Sequence, residues 1–274
     1  MTKMMQKPLY SFAVVSDVHI MTWVESEAPV RTVPAIEFAF RDIARQSPDF
    51  LVINGDLTNG KNRDLKLAMR ILQQTCPYPI YYTFGNHEYY GFHEDPDFSC
   101  TKAQRQFLEF TGQAKMYDTM TRDDSTFVFL STEHYDLDLR DRGWISETQL
   151  AWFRDTLHSI PANHTVFVFF HQPVNGTVAD SHDTLVQSEE LREILESRPN
   201  VFFFTGHTHC KMDQNSQIAI QNGVRYIGGA ALTPSEKGDP QTRFVDVFDT
   251  DVRLRVRDNL RQAWIDEYTQ RFAR

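Results

Sequence analysis

Apolar residues recur along the chain in short runs rich in valine, isoleucine, phenylalanine and tyrosine. Such runs are typical of buried strands, because a strand that is covered on both faces has little use for polar positions. The predicted strands are residues 10–15, 50–53, 79–83, 126–131, 165–170 and 201–204. The segments between these runs follow a different period and therefore predict a different element.

Helical spacing of apolar residues occupies several of the intervening segments. The predicted helices cover residues 33–45, 62–74 and 188–197. A further helix is predicted in SETQLAWFRDTL, where Ser146 stands three residues before Gln149 in a capping-box pattern. Strands that alternate with helices in this way predict an α/β protein.

The pattern changes after residue 217, where shorter strands replace the alternation. The run RFVDVFDTDVRLRV, residues 243–256, has Asp-Thr-Asp at its centre and predicts a hairpin. Residues 258–272 are predicted to form a last helix. Neither an internal repeat nor a low-complexity linker interrupts the chain, so we expect one domain over residues 1–274.

Composition excludes several classes of function. The 274 residues carry a formal net charge of −9 without a basic run, which argues against binding of extended nucleic acid. No segment approaches the ~20 consecutive apolar residues of a membrane span, so no membrane association is expected. Three cysteines at irregular spacing favour a reducing compartment. If the sequence begins at the natural start, we expect a cytoplasmic protein.

Side chains that are able to bind metals follow five of the predicted strands. They are Asp17 and His19, Asp56, Asn86 and His87, His171, and His207 and His209. Each has an ordinary alternative explanation. Aspartate and asparagine are common in turns, and a single histidine at a strand end is usually a structural residue of the core. Their recurrence at five strand ends instead predicts a shared site, since parallel strands deliver their C-terminal ends to one edge.

The residue types are suited to a pair of metal ions. Two divalent cations ~3.5–4 Å apart require a bridging carboxylate, neutral nitrogen ligands and open positions for substrate. Asp56 is the expected bridge. Imidazole and oxygen ligands without thiolate suit Mn, Fe or Zn better than Ca or Mg. Gly55 and Gly206 are expected to allow close backbone approach or positive φ beside the metals.

In chain order, the motifs D-x-H, G-D, G-N-H-E, a single histidine after a strand, and G-H-T-H resemble those of the calcineurin-like metallophosphoesterase family. They span residues 17–209, about three quarters of the chain. The resemblance implies an α/β fold in which a two-sheet β-sandwich is flanked by helices. It also implies a dinuclear metal site at the C-terminal ends of the strands.

The resemblance further implies a division of roles. One metal would be held by Asp17, His19, Asp56 and His209, and the other by Asp56, Asn86, His171 and His207. His87 matches the histidine that contacts the substrate phosphate and is thought to protonate the leaving group in this family. The implied mechanism is in-line attack on phosphorus by a metal-bridging hydroxide, with Asp56 and His87 as the catalytic residues.

Two subfamilies are disfavoured by single positions. The tyrosine that purple acid phosphatases carry three residues beyond the bridging aspartate is replaced by Asn59. Asn59 and Gly60 also stand where protein Ser/Thr phosphatases continue with Asp-Arg-Gly. The runs SDVHI and NGDLTNG, with a weaker match over residues 130–153, are most similar to a bacterial branch. That branch includes cyclic-nucleotide and glycerophosphodiester phosphodiesterases.

The expected substrate is therefore a small phosphodiester. A phosphomonoesterase that acts on a nucleotide or sugar phosphate is the alternative, because it would need the same metals. A non-catalytic metal-binding scaffold is a third possibility, against which the complete set of ligand positions argues. Specificity is expected to arise from three rim segments, residues 20–31, 89–98 and 174–184. Candidate leaving-group contacts there are Tyr89, Tyr90, Phe92, His93 and His182, but simple packing is the favoured interpretation for each, and none is assigned a catalytic role.

Overall fold

The structure is a computed structural model that describes residues 7–22, 28–235 and 237–274. Its strands are numbered in chain order and form two sheets. The first sheet contains β1 (Tyr10–Val15), β2 (Phe50–Asn54), β3 (Ile80–Thr83), β10 (Gln241–Val247), β11 (Asp251–Asp258), β12 (Ala263–Trp264) and β13 (Gln270–Ala273). The second contains β4 (Asp118–Arg122), β5 (Ser125–Phe129), β6 (Thr165–Phe169), β7 (Val201–Thr205), β8 (Ile218–Gln221) and β9 (Val224–Gly228).

The first sheet has parallel strands on one side and antiparallel strands on the other, and the second has a parallel centre with an antiparallel strand at each edge. The first sheet has the order β12-β11-β10-β1-β2-β3, with β13 also paired to β11, and β1, β2 and β3 are parallel. The second has the order β4-β5-β6-β7-β9-β8, in which β5, β6, β7 and β9 are parallel. The strands that the sequence predicted to end in metal-binding residues are β1, β2 and β3 of the first sheet and β6 and β7 of the second, and all of them belong to the parallel parts.

The two sheets pack face to face through a core that is dominated by phenylalanine. The Phe12 ring of β1 meets the Phe127 ring of β5 and the Phe167 ring of β6 edge-on, with centroids 5.5 and 5.3 Å apart. Edge-to-face contact is favoured because the positive ring edge meets the negative ring face. This interlocked layer fixes the strand ends of one sheet relative to those of the other.

Five α-helices cover the outer faces of the sheets in the part of the chain that is described. They are α1 (Ala28–Arg45), α2 (Asn62–Thr75), α3 (Cys100–Thr111), α4 (Glu147–Ser159) and α5 (Ser188–Glu196). Apolar residues of α1, α2 and α3 bury against the first sheet, and those of α4 and α5 against the second. The expected α/β two-sheet sandwich flanked by helices is confirmed.

The helix α4 begins where the sequence predicted, but only half of the capping box forms. Ser146 Oγ accepts a hydrogen bond from Gln149 N at 3.1 Å. The Gln149 side chain turns away to pair with the backbone of Ser131, donating to its oxygen and accepting from its nitrogen. Glu133 accepts from Ser146 N in its place, at 2.8 Å. Hydrogen bonding to the buried backbone of Ser131 therefore replaces the expected contact of the Gln149 side chain with the start of the helix.

The predicted helix over residues 258–272 is wrong. That segment instead forms the short strands β12 and β13, which both pair with β11. The free edge of β11 offers unpaired backbone groups, and pairing with them outweighs a weak local helical pattern. Trp264 also lies under the Arg255 guanidinium, 3.9 Å from the ring centroid, which anchors the segment on the sheet. The hairpin between β10 and β11 is confirmed.

The helix α3 was not predicted from the sequence. It begins after Ser99, whose Oγ accepts from Lys102 N, and ends at Gly112 with φ +73°. Among the residues that the structure describes, none of the helices is both long and apolar enough to cross a membrane.

Candidate metal centre

The loops after β1, β2, β3, β6 and β7 converge at one end of the sandwich. His209 Nε2 lies 3.0 Å from Asp17 Oδ1, and His171 Nε2 lies 3.1 Å from Asp56 Oδ2. His19 Nε2 lies 3.1 Å from His209 Nε2. Residues that are up to 190 positions apart in the chain therefore present nitrogen and oxygen atoms to one small volume.

The remaining two predicted ligands lie beside this group. Asn86 Oδ1 is 3.2 Å from His207 Nδ1 and accepts a hydrogen bond from Gln172 Nε2 at 3.1 Å. The rings of His171 and His207 meet edge-on with centroids 5.4 Å apart. The structure thus brings together all seven residues that the sequence proposed as ligands.

Three overlapping sets of side chains are spaced closely enough to hold a cation. They are Asp17 with His19 and His209, Asp17 with Asp56 and His171, and His19 with Asp56 and His87. Within each set the ligand atoms lie within 4.8 Å of one another. Because the sets share Asp17, His19 and Asp56, the geometry suits adjacent metal positions.

The backbone at the site is held in an uncommon conformation. Asp17, His19, Asp56, His207 and His209 all have positive φ, between 47° and 69°. For residues other than glycine this region costs about 1 kcal/mol or more each, and such strain collects at functional sites. The turns that it produces reverse the chain directly after each strand, so that neighbouring side chains can reach the same cluster.

Two glycines make room for the cluster, as the sequence suggested. A Cβ on Gly206 would lie 1.7 Å from Ser16 Oγ and 2.7 Å from Asp17 Oδ2. A Cβ on Gly55, which has φ +81°, would lie 2.5 Å from the His171 ring. Each glycine belongs to one sheet and faces a side chain of the other, so both sit where the two sheets meet.

In Asp17 and in Asp56, one carboxylate oxygen is hydrogen-bonded to nearby groups and the other is directed to the cluster. Asp17 Oδ2 accepts from Ser16 Oγ at 2.6 Å and from His207 N at 2.9 Å. Asp56 Oδ1 accepts from His87 N at 2.9 Å. Asp17 Oδ1 and Asp56 Oδ2 therefore remain to face the histidines.

His171 is fixed in the tautomer that suits a metal ligand. Its Nδ1 donates to Asn54 O at 2.8 Å, so the proton lies on Nδ1 and Nε2 points into the cluster. Among the described residues, none makes a hydrogen bond of suitable geometry to buried His171 Nε2 or buried Asp17 Oδ1, although Asp56 Oδ2 and His209 Nε2 lie close to them. Unsatisfied buried polar atoms are costly, and a cation at this point would satisfy both. The nitrogen and oxygen donor set fits Mn, Fe or Zn.

The charges of the cluster also demand a cation. Burial opposes ionisation of Asp17 and Asp56, but the facing histidines, above all His171, lower the pKa of both carboxyls. Burial likewise opposes charge on His171, yet Asp56 and Asp17 raise its pKa to about 10. Two buried carboxylates thus require positive charge, which without metal only a protonated histidine can supply.

His19 and His207, two of the predicted ligands, are neutral at physiological pH. Burial, followed by the charge of His87, lowers the pKa of His19 to about 3. Burial, followed by the charge of His171, lowers the pKa of His207 to about 4. Neutral imidazole is the form that offers a lone pair to a metal, so both residues are prepared to act as ligands.

Two residues with no predicted role hold the site together. Asn54, buried at the end of β2, donates from Nδ2 to Phe170 O and Phe204 O at 3.2 and 3.0 Å. These bonds join the first sheet to two strand ends of the second. From the sequence, Asn54 was only the last residue of an apolar run, and its contacts depend on the closed sandwich.

Glu88, the last residue of the G-N-H-E motif, organises the loop that carries Asp56. Its carboxylate accepts from the backbone nitrogens of Gly85, Asp56 and Leu57 at 2.8, 3.0 and 2.7 Å. Burial, followed by the charge of Asp56, raises the pKa of Glu88 to about 7. Its place in the motif was the available signal, but the bonds to the Asp56 loop required the structure.

His87 stands at the mouth of the cluster with a defined orientation. Its Nδ1 donates to Asn59 Oδ1 at 2.9 Å, and Asn59 Nδ2 points to Met21 Sδ at 2.9 Å. His87 Nε2 is then directed inward, 4.0 Å from Asp56 Oδ2. Asn59, which distinguishes this chain from two subfamilies, is therefore the residue that orients His87.

The rim differs in part from the prediction. For Tyr89 the favoured interpretation of packing is confirmed, because it is fully buried against Phe84 and donates to Thr132 O. Tyr90 instead stacks on His87, with centroids 3.9 Å apart and planes at 28°. Phe92 packs against Phe98, His93 meets Tyr90 edge-on and His182 is exposed. Within the predicted rim segment 20–31, residues 23–27 lie outside the described residues.

The sequence did not single out the loop over residues 136–142 as part of the rim. It places Asp141 beside Asn86, whose Nδ2 donates to Asp141 Oδ1 at 3.5 Å. The run DLDLRDRG, residues 136–143, alternates apolar and charged residues and carries no motif, so nothing in the sequence marked it.

Comparison with known proteins agrees with this geometry. The family model described as calcineurin-like phosphoesterase matches residues 10–211, well over half of the chain. A manganese-dependent ADP-ribose/CDP-alcohol diphosphatase of Xenopus laevis is 22% identical over 316 residues, covering 89% of this chain and 87% of that protein. A 3′,5′-cyclic-nucleotide phosphodiesterase of Nostoc sp. is 22% identical over 231 residues, covering 82% and 79%.

Solved structures share the fold. A dimetal phosphatase from Danio rerio superposes with a TM-score of 0.70 at 17% identity, covering 92% of this chain and 97% of that one. A purple acid phosphatase from yellow lupin gives a TM-score of 0.64 at 15% identity, covering 98% of this chain and 54% of that one.

Proposed function

The chain belongs to the calcineurin-like phosphoesterase family, and on that premise we propose that it hydrolyses a small phosphodiester at two divalent metal ions. The observation that carries the proposal is the convergence of two buried carboxylates with histidines from both sheets. Asp17 Oδ1 and His171 Nε2 face this centre, and neither has a hydrogen-bond partner within the part of the chain that the structure describes. Such a cluster is costly as a structural element and useful as a metal centre.

The proposed ligands divide into two sets that share Asp56. Asp17, His19, Asp56 and His209 hold one metal, and Asp56, Asn86, His171 and His207 hold the other. The separations of 3.0 Å between His209 and Asp17 and 3.1 Å between His171 and Asp56 support this division. The manganese dependence in the name of the Xenopus laevis relative supports manganese as one of the metals, with iron and zinc as alternatives.

Two metals at this site supply Lewis acidity, which activates water and offsets the charge that spreads over the phosphoryl oxygens. The residues of the chain supply position and protons. Asp56 compensates the repulsion between two cations, and Asn59 holds the His87 ring so that Nε2 faces the cluster. His87 contacts the phosphoryl group and donates a proton to the leaving oxygen, which requires its imidazolium form. Burial opposes that form by lowering the pKa of His87, and the charge of Asp56 partly offsets the effect.

A diester is favoured over a monoester by the relatives. The names of the curated proteins describe a cyclic-nucleotide phosphodiesterase and a diphosphatase, and neither describes a monoesterase. A phosphomonoesterase that acts on a nucleotide or sugar phosphate would use the same metals, and it is the outcome against which the proposal is tested. A non-catalytic scaffold would not need an imidazole nitrogen directed at the cluster, as His87 Nε2 is, 4.0 Å from Asp56 Oδ2.

A parallel assay tests the proposal. The chelated protein would be supplied with Mn²⁺, Fe²⁺ or Zn²⁺ and given bis-p-nitrophenyl phosphate, p-nitrophenyl phosphate and cyclic nucleotides. We expect metal-restored hydrolysis with kcat/KM for the diesters above that for the monoester. An Asp56→Asn preparation, purified identically, measures contaminating phosphatase. A monoester preference contradicts the diester assignment, and equal rates for both preparations contradict the enzyme itself.

A further inference from the structure

A tyrosine and an aspartate from different loops meet beside His87. Tyr90 stacks on the His87 ring and donates its hydroxyl to Asp141 Oδ1. Asp141 Oδ1 also accepts from Asn86 Nδ2 at 3.5 Å. The pair therefore touches both the proposed proton donor and one proposed ligand, while Asp141 itself is exposed to solvent.

Asp141 is held in place by the turn that precedes it. Asp136 Oδ1 accepts from the backbone nitrogens of Asp138 and Leu139 at 2.9 and 2.8 Å, which closes the turn. Gly143 N then donates to Thr184 O at 2.8 Å and ties the loop to the neighbouring rim segment. An exposed carboxylate on an ordered turn can act as a fixed acceptor, because little side-chain and loop entropy remains to be lost on binding.

The position of the pair identifies the part of the substrate that it meets. If His87 protonates the leaving oxygen, as the proposed function holds, the leaving group lies next to His87 and hence next to Tyr90 and Asp141. An ionised carboxylate accepts hydrogen bonds from hydroxyls strongly. The same carboxylate repels a phosphate that is part of the leaving group, because the two negative charges would lie close together.

We propose that Tyr90 and Asp141 form a leaving-group subsite that selects a neutral, hydroxyl-bearing alcohol and disfavours a leaving group that carries a phosphate. The proposal rests on the proposed function, because it needs His87 on the leaving side. It separates the expected substrate from diphosphate linkages, in which the leaving group is itself a phosphate monoester.

Three substrates separate the two halves of the proposal. Diglyceryl phosphate has a neutral leaving group with hydroxyls, glyceryl propyl phosphate has a leaving propyl group without them, and ADP-ribose has a phosphorylated leaving group. For wild type we expect glycerol release from diglyceryl phosphate to be about tenfold or more faster, in kcat/KM, than propanol release from glyceryl propyl phosphate. That ratio corresponds to one hydrogen bond to a charged acceptor.

Asp141→Asn is the informative variant, because it keeps an oxygen for Tyr90 and Asn86 while removing the charge. We expect it to reduce the preference for glycerol over propanol to about twofold and to raise kcat/KM for ADP-ribose several-fold. Tyr90→Phe, which keeps the ring on His87, should weaken the glycerol preference by a smaller factor. Asp138→Asn makes the same charge change on the same turn and should leave both ratios unchanged.

The pattern across substrates distinguishes specificity from support. If Asp141 only positioned Asn86, Asp141→Asn would slow all three substrates by one factor, and unchanged ratios would overturn the subsite. Equal changes in Asp138→Asn and Asp141→Asn would overturn it as well, since a general charge effect would then suffice. Failure of the wild type on every phosphoester, with metals bound, would instead reject the proposed function on which the subsite depends.

Discussion

The two sheets supply unlike chemistry to one site. Strand ends of the first sheet provide both carboxylates, Asp17 and Asp56, whereas the second sheet provides only imidazoles, from His171, His207 and His209. The first sheet alone would gather unbalanced negative charge, and the second alone would gather neutral nitrogens that lack an anionic partner. The difference shows that the metal centre is a property of the closed sandwich and of neither half.

The seam between the sheets is where this dependence can be tested. We use the term seam for Ser16, Asn54, His171 and Gly206, which contact one another across the two sheets. His171 Nδ1 donates to Asn54 O at 2.8 Å, and Ser16 Oγ, whose proton is directed to Asp17 Oδ2, lies 2.9 Å from the same carbonyl oxygen. Because the seam lies directly beneath Asp17 and Asp56, a change at Ser16, Asn54 or Gly206, none of which is a proposed ligand, should reach the metals indirectly.

The largest effect is expected from Asp56→Asn, which removes the carboxylate that both proposed metal sites share. Without it, two cations a few ångströms apart lose the anion that offsets their repulsion. We expect loss of both metals and at least a ~10³-fold fall in kcat, about 4 kcal/mol of transition-state stabilisation. Metal content and turnover of the purified variant would be measured together.

His209→Gln provides the contrast from the second sheet. It removes one neutral ligand that faces Asp17, so we expect one metal to be lost and the other kept. Two retained metals with normal turnover in Asp56→Asn would show that Asp56 is only a turn residue. Loss of both metals in both variants would show that the two sides of the site are not separable.

A second large effect is expected from His87→Ala. His87 follows a strand of the first sheet but is not one of the proposed ligands. Both metals should remain, while general acid assistance of ~10²–10⁴-fold is lost for alkoxide leaving groups. The penalty should shrink for p-nitrophenolate, which leaves with little protonation. Rates of wild type and variant on a series of phosphoester substrates with graded leaving-group pKa measure how the loss depends on the leaving group. An equal loss across the series would reject the role of His87 as proton donor.

A third effect concerns the seam itself. Gly206→Ala places a Cβ 1.7 Å from Ser16 Oγ, so the two strand ends must move apart. Overpacking of this kind typically lowers the free energy of unfolding by ~1–3 kcal/mol. We expect metal affinity to fall at least as clearly as stability. Gly112→Ala, at a helix end with φ +73° and open space around it, is the control. It should reduce the free energy of unfolding and leave metal affinity intact.

The residues of the candidate metal centre could be brought together from the sequence because their signal is local. Asp17, Asp56 and His171 each follow an apolar run within three residues, and parallel strands place such ends together whatever the details of packing. The two-sheet fold followed from the resemblance of the ordered motifs. For these residues, position in the chain and position in space are related by a simple rule.

The residues that support the site were not predictable, because their roles depend on distant partners. Asn54 bonds to carbonyls more than 100 residues away, and Asp141 reaches Asn86 from a loop without a motif. The failed helix over residues 258–272 has the same cause, since the open edge of β11 decided its conformation. The local sequence pattern predicts secondary structure well where tertiary contacts do not favour a different conformation. It fails where backbone pairing with an open sheet edge stabilises a strand instead of a helix.

The smallest effect is expected from Asn54→Ala. It leaves the carbonyl groups of Phe170 and Phe204 without their donor, and an unsatisfied buried group costs ~1–3 kcal/mol. We expect that loss in the free energy of unfolding, measured with denaturant, and a modest decrease in metal affinity. An unchanged stability would mean that the Asn54 contacts do not hold the sheets together.

The central claim is that both sheets hold two metals around Asp56. Anomalous diffraction from crystals grown with Mn²⁺, recorded above and below the manganese absorption edge, tests it without reference to activity. The account predicts two peaks ~3.5–4 Å apart, one on the side of Asp17, His19 and His209 and one on the side of Asn86, His171 and His207, with Asp56 between them. A single peak away from Asp56, or none at saturating Mn²⁺, Fe²⁺ and Zn²⁺ in turn, would contradict it.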